Sequence, residues 1–270
     1  MLSKLLKYDF RALMPWYGVL GAVTLVLAVL NRIAMFSTFT NAESHPIAAV
    51  FSGMATTMLT VVFFLSLAAL SLMAVYLPAW RFYQSCLGEE GYLTFTLPVT
   101  HGQLYASKMI SSCVGMLAAT VWGLGCVLLC YLGIPGLGEV WEMMLADMGA
   151  TVPTGEMIAT LILLVIALPV GAVQTFGTLF TSLMIGQMGS KHRIFRSVVA
   201  YFAIQTVLQT VMQGVMLVMQ ILMVRNIMIE VDPFSLYLPM LSVSLVFSLA
   251  VAIAGVIVPV RMMKKNLNPI

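Results

Sequence analysis

Apolar residues run through this chain in six long stretches: Trp16 to Phe36, Ile47 to Leu77, Met109 to Leu132, Met157 to Ile185, Val198 to Val224 and Leu236 to Val260. A hydrocarbon core about 30 Å thick needs roughly 20 helical residues at about 1.5 Å each, and every stretch meets that length. Within them the only Asp, Glu, Lys, Arg or His is Arg32, near the end of the first stretch, from where its side chain can reach the interface. The runs are continuous rather than alternating, which predicts helices and not the strands of a membrane barrel. The expected fold is an all-α membrane protein with six transmembrane helices.

The segment ahead of the first stretch has a different pattern. Leu2, Leu5, Leu6, Phe10 and Leu13 recur at helical spacing, with Lys4, Lys7 and Arg11 interleaved. This pattern predicts an amphipathic helix over residues 1–14, lying on an anionic membrane surface before the chain turns at Pro15. Residues 15–270 are then a single six-helix transmembrane domain. A cleaved signal peptide does not fit, because the first apolar run is longer than an h-region and a mixed segment precedes it.

Charge sets the expected direction of the spans. Lys4, Lys7, Arg11, Arg81, Lys108, Lys191, Arg193, Arg196, Arg261, Lys264 and Lys265 fall on one side, and only Arg32 and Arg225 on the other. The positive-inside rule then makes both termini cytoplasmic. Glu43, Glu139, Glu142, Asp147, Glu156, Glu230 and Asp232 lie on the opposite side and do not disturb that assignment.

Composition removes the other broad classes. Only 9% of the 270 residues are charged and 61% are hydrophobic, with a mean hydropathy of +1.03. A soluble domain carries roughly 25% charged residues to cover its surface. Soluble enzymes, nucleic-acid binders and disordered chains are therefore excluded.

Missing motifs narrow the chemistry. There is no G-x-x-x-x-G-K-[ST] phosphate loop, and the GQMGSK run at Gly186 to Lys191 has the wrong spacing. H-E-x-x-H and G-x-S-x-G are also absent, and His45, His101 and His192 fall in three separate loops. No catalytic residue, bound cofactor or metal site is expected. Cys126 and Cys130 share a helix face, but with no His or carboxylate near in sequence they read as packing. No mid-depth charge is available to couple an ion gradient. Pro169 with Gly171 or Gly177 could mark a broken helix, the other route to ion binding. Any energy for transport would therefore come from a separate subunit.

The connection over residues 78–108 is the longest expected cytoplasmic loop. Thr100 and Gln103 match a capping box, so a helix should start near His101 and run into the third span. Pro98 holds the preceding residue extended. Gly88 and Gly91 bracket Glu89 and Glu90, an exposed acidic pair beside Phe82, Tyr83, Tyr92 and Phe95. This turn reads either as a docking surface or as a solvated loop with aromatic anchors.

The run RFYQSCLGEEGYLTFTLPVTHGQLYASK, Arg81 to Lys108, resembles the loop of type-2 ATP-binding-cassette (ABC) exporter permeases of bacteria, in particular small six-helix ones. The K-L-L-K-Y-D-F start and the basic end add a weaker architectural likeness. The resemblance implies one membrane half of an exporter in the bacterial cytoplasmic membrane. It would pair with a second membrane half, a copy or a different chain, and with two ATPase subunits that bind ATP and Mg. Residues 1–14 would be the connecting helix, and Arg81 to Phe95 would include the coupling helix. Arg81, Glu89 and Glu90 would touch the ATPase.

The fifth span carries Gln205, Gln209 and Gln213 at i, i+4 spacing, with Gln220 two turns on and Thr206 and Thr210 alongside. A carboxamide facing lipid tails leaves several kcal/mol of unmet hydrogen bonding per site, so the stripe should face helices or a hydrated cavity. It reads either as interhelical glue, averaging about 0.6 kcal/mol per contact, or as the lining of a substrate path. In the resembling family the second and fifth spans line the central path. The second span offers Thr56, Thr60 and Phe64 on a face with Ser52, Leu67 and Ser71. Such a surface suits an amphipathic or lipophilic peptide, drug or lipid. The outer loop over 134–156 reads as an acidic solvated segment, a short interfacial helix or an external lid. The competing class is a membrane immunity protein that binds a membrane-active peptide without pumping it.

Overall fold

The computed structural model describes residues 2–41, 46–88, 100–132, 142, 143, 146, 154–188, 192–226 and 237–266. They form α1 (Leu2–Asn41), α2 (Pro46–Phe82), α3 (His101–Tyr131), α4 (Thr154–Gln187), α5 (Arg193–Asn226) and α6 (Tyr237–Asn266). No strand occurs among the described residues. Six helices are long and apolar enough to cross a membrane, so the chain is a multi-pass membrane protein.

Two helices are longer than the sequence pattern predicts. Helix α1 continues unbroken through Pro15. Proline removes one amide N–H and frees the carbonyl four residues earlier. That residue is Arg11, exposed on the helix, where water can satisfy the carbonyl. Helix α2 likewise continues through Pro78 to Phe82 and ends in a π-helical turn, Tyr83–Leu87. The Gly88 amide donates to the Tyr83 carbonyl at 2.8 Å and closes that turn. The first part of the loop expected over residues 78–108 is therefore helix, and Cys86 within it is buried.

The chain divides into two compact units. One comprises Lys7–Leu77 and Val114–Met148, and the other Met1–Leu6, Pro78–Cys113 and Gly149–Ile270.

In the first unit, contacts along α1 set the register. Tyr17 donates to the Ala74 carbonyl at 3.2 Å, and Thr60 to Asn31 Oδ1 at 3.0 Å, so α2 runs antiparallel to α1. Trp122 Nε1 donates to the Gly21 carbonyl at 3.1 Å and Arg32 to that of Leu129 at 2.7 Å, so α3 runs parallel to α1. Ala28, Phe63, Cys126 and Cys130 form a buried cluster among the three helices. The cysteine pair packs, as its isolation in sequence implied.

The second unit is organised by α4, which packs on α5 and α6. Gly177 and Gly255 meet where α4 crosses α6: a Cβ on Gly177 would lie 2.9 Å from the Gly255 Cα. At the other end, a Cβ on Gly186 would lie 2.6 Å from the Ser197 amide nitrogen of α5. Lipid tails give helices no hydrophobic reason to associate, and close backbone approach at small residues supplies van der Waals cohesion instead. Helix α4 is unbroken through Pro169, Gly171 and Gly177, so the broken helix considered from sequence does not form. Helix α3 starts as expected, with reciprocal Thr100 and Gln103 bonds at 3.4 and 3.3 Å.

Candidate functional site

The glutamine stripe lines a groove within the second unit. Gln205, Gln209 and Gln213 of α5 face Gln174 of α4 and Ser248 of α6, with Leu208, Met212 and Phe247 completing a space of about 430 Å³. Helical spacing stacks the three α5 amides on one face, about 6 Å apart along the axis. Gln205 donates to the Tyr201 hydroxyl at 3.2 Å, which fixes the first amide of the row. Gln209 and Gln213 are exposed. Each carboxamide carries donors and an acceptor, so the wall can bond polar groups of either kind while its apolar residues cover a hydrophobic portion. Gln220 is also exposed but is not among the residues lining this groove.

Gln174 was not singled out from sequence. Its signal was the single carboxamide in the fourth span, Met157 to Ile185. It gains meaning only once packing places it opposite the α5 row.

Six residues along α4 from Gln174, about 9 Å at helical rise, a four-ring cluster ties the groove to the loop segment. Phe82 stacks on Phe180 with ring centroids 4.1 Å apart and planes 15° from parallel. Tyr105 meets both edge-on, at 6.3 Å from Phe82 and 6.0 Å from Phe180, and Phe176 lies 5.8 Å from Phe180. All four are buried. Phe82 therefore belongs to the core of this unit and not to the exposed turn in which the sequence reading put it. Its burial follows from the continuation of α2, which rotates the ring inward. Tyr83 remains half-exposed and stacks on Trp80 at 6.2 Å. Arg81 is partly exposed in the last turn of α2, next in sequence to Phe82 of the four-ring cluster, an aromatic clamp. Glu89 and Glu90 lie outside the described residues, as does most of the loop over 134–156.

Thr56, Thr60 and Phe64 belong to the other unit. There the Thr56 and Thr38 hydroxyls bond at 2.7 Å, and Thr56 also donates to the Ala34 carbonyl at 3.2 Å. Thr60 donates to Asn31, whose Nδ2 in turn donates to Cys130 Sγ at 3.2 Å. These hydroxyls join α2 to α1. Phe64 keeps 50% of its surface exposed. Asn31, fully buried and missed in the sequence, is the hub of this network. Arg32 bonds the Leu129 carbonyl near the C-terminus of α3, where a cation is favourable to the helix dipole. No group of three or more His, Cys, Asp or Glu that could hold a metal occurs among the described residues.

Comparison with protein-family models, with curated proteins and with solved structures finds no match for this chain.

Proposed function

We propose that this chain is the membrane-spanning subunit of an ABC exporter. In this reading it joins a second membrane half and two ATPase subunits, and moves an amphipathic or lipophilic peptide, drug or lipid across the bacterial cytoplasmic membrane with both its termini inside. ATP and Mg act on the partner. The loop motif from Arg81 to Lys108 and the absence of any phosphate loop in the sequence support the proposal.

The observation that carries it is the aromatic clamp. Phe82 follows Arg81 directly and stacks on α4, and α4 also contributes Gln174 to the amide groove. A displacement applied to the Arg81 segment would pass through packed rings into the helix that forms one wall of the groove. Packed cores switch between discrete arrangements and do not deform continuously, so such a push can open or close a path.

The test is to look for a stand-alone ATPase in the neighbouring reading frames and to co-express the chain with any such ATPase, followed by purification and reconstitution. The proposal expects a complex whose ATP hydrolysis rises with substrate, and expects Glu89→Lys with Glu90→Lys to dissociate or uncouple it. Full stimulation in that double variant would remove the docking role of the acidic pair. Steady uphill transport by the isolated chain, without nucleotide, would overturn the exporter reading altogether. Protection against a membrane-active peptide that persists without any ATPase would favour the non-pumping immunity protein.

A further inference from the structure

The first unit holds a second groove that the exporter reading leaves unused. It runs between α1, α2 and α3, with a volume of about 530 Å³ and walls that include Met14, Gly18, Leu25, Leu70, Ala118 and Trp122. That volume lies within the range of small-molecule sites. The two polar groups in its walls are already engaged: Tyr17 donates to Ala74 and Trp122 to Gly21. What the groove offers is hydrocarbon surface. Along α1, Met14 to Leu25 spans about 16 Å at helical rise, about half of a roughly 30 Å hydrocarbon core. This is the depth of one leaflet. The space stands open beside Gly18, where a Cβ would meet nothing within 4 Å.

The groove has a charged end. Lys7 and Arg11 are exposed, and spacings of three, four and seven residues put 7, 11, 14, 18 and 25 on one face of α1. Arg11 lies about 7 Å beyond Trp16 along the axis, and Trp16 is 60% exposed, as suits an interfacial anchor. Two cations thus stand at headgroup level above a leaflet-deep apolar slot. No acidic residue lines the slot. Asp9, the nearest carboxylate in sequence, is buried and is not among the residues lining the slot, and helical spacing puts it across α1 from Lys7 and Arg11.

We propose that this groove binds an anionic glycerophospholipid of the bilayer, with one acyl chain in the slot and the phosphate held by Lys7 and Arg11. The argument uses only the geometry of this unit and stands whether or not the chain is an exporter subunit.

Trp122 in the wall provides the readout. A variant with Trp16→Phe, Trp80→Phe and Trp141→Phe leaves Trp122 as the only tryptophan. It is reconstituted in phosphatidylcholine vesicles containing increasing fractions of phosphatidylglycerol or phosphatidylcholine brominated on the acyl chains, and quenching is followed. Brominated phosphatidylglycerol should quench at a far lower mole fraction, by roughly fivefold for each cation and therefore roughly 25-fold for the pair. Lys7→Gln with Arg11→Gln should abolish that preference while quenching by both lipids remains. Gly18→Leu, which projects into open space, should reduce quenching by either lipid. Equal quenching by the two lipids, or a preference that survives loss of both cations, would overturn the proposal. So would quenching that Gly18→Leu leaves unchanged. A Trp122 shielded from both lipids would place protein in the groove and overturn it as well.

Discussion

The Tyr105 hydroxyl donates to the Gly255 carbonyl at 2.7 Å, and Gly255 lies four residues before Pro259. Proline has no N–H, so Pro259 leaves that carbonyl without its intrahelical donor, and the tyrosine of α3 takes the place. Helix α2 repeats the device. Tyr17 donates to Ala74, four residues before Pro78. Inside a bilayer no water is at hand for a freed carbonyl, so these two prolines depend on a neighbouring helix for the hydrogen bond.

This dependence can be tested with a mutant cycle. Tyr105→Phe should destabilise the protein by about 1–2 kcal/mol, because it strands a buried acceptor. Pro259→Ala restores an amide donor and should make the same tyrosine change nearly neutral. Thermal or denaturant unfolding of the four proteins in detergent gives the coupling energy. Simple additivity would mean that Tyr105 contributes by packing alone.

Phe82 gives a second prediction, which separates packing from transmission. Phe82→Ala removes a fully buried ring and should cost about 3–5 kcal/mol. Phe82→Leu keeps most of the apolar volume but loses the stack on Phe180. In the proposed exporter it should retain assembly with the ATPase subunit while lowering substrate-stimulated hydrolysis roughly tenfold, the equivalent of about 1.4 kcal/mol in coupling. Unchanged stimulation in a well-folded Phe82→Leu protein would show that force does not travel through these rings.

The amide groove is tested by replacing Gln209 and Gln213 together with Leu. Both are exposed to the groove, so stability should change by no more than about 0.6 kcal/mol per site, the mean for interhelical hydrogen bonds. Substrate stimulation should fall clearly. The reverse pattern, normal turnover with a lowered melting temperature, would assign the row to helix association.

At Gly186 the expected effect is steric. An added methyl would run into Ser197 Oγ and come within 2.6 Å of the Ser197 amide, which is backbone and cannot swing aside. Gly186→Ala should therefore destabilise the α4–α5 pair by about 1–3 kcal/mol. Gly171→Ala, where a Cβ meets nothing within 4 Å, should be neutral. Thermal unfolding of the two variants side by side checks the contrast.

The sequence was a good guide where a pattern has one physical outcome. Long apolar runs have to be helices, and Thr100 with Gln103 three residues later has to cap one, and both are seen. It was a poor guide at prolines. Pro15 read as a turn and Pro78 as the start of a loop, yet both lie inside helices, because the missing donor is replaced by solvent or by a tyrosine from elsewhere in the chain. Such replacement is invisible until the fold is known. The same limit hid Phe82, whose burial depends on α2 continuing past Pro78, and Asn31, whose partners lie 29 and 99 residues away. For the candidate site, the periodic row on α5 was legible because its spacing is regular. Gln174 was not, because a single residue has no period.

The contact of Gly177 with Gly255 has one more implication. Two helices that touch backbone to backbone at one point, and carry bulkier side chains on either side of it, can tilt about that point without separating there. The crossing would then act as a fulcrum, holding α4 and α6 together while their far ends exchange position. Any side chain larger than hydrogen at either residue would pry the pair apart, so the capacity to rock and the identity of these two glycines stand or fall together.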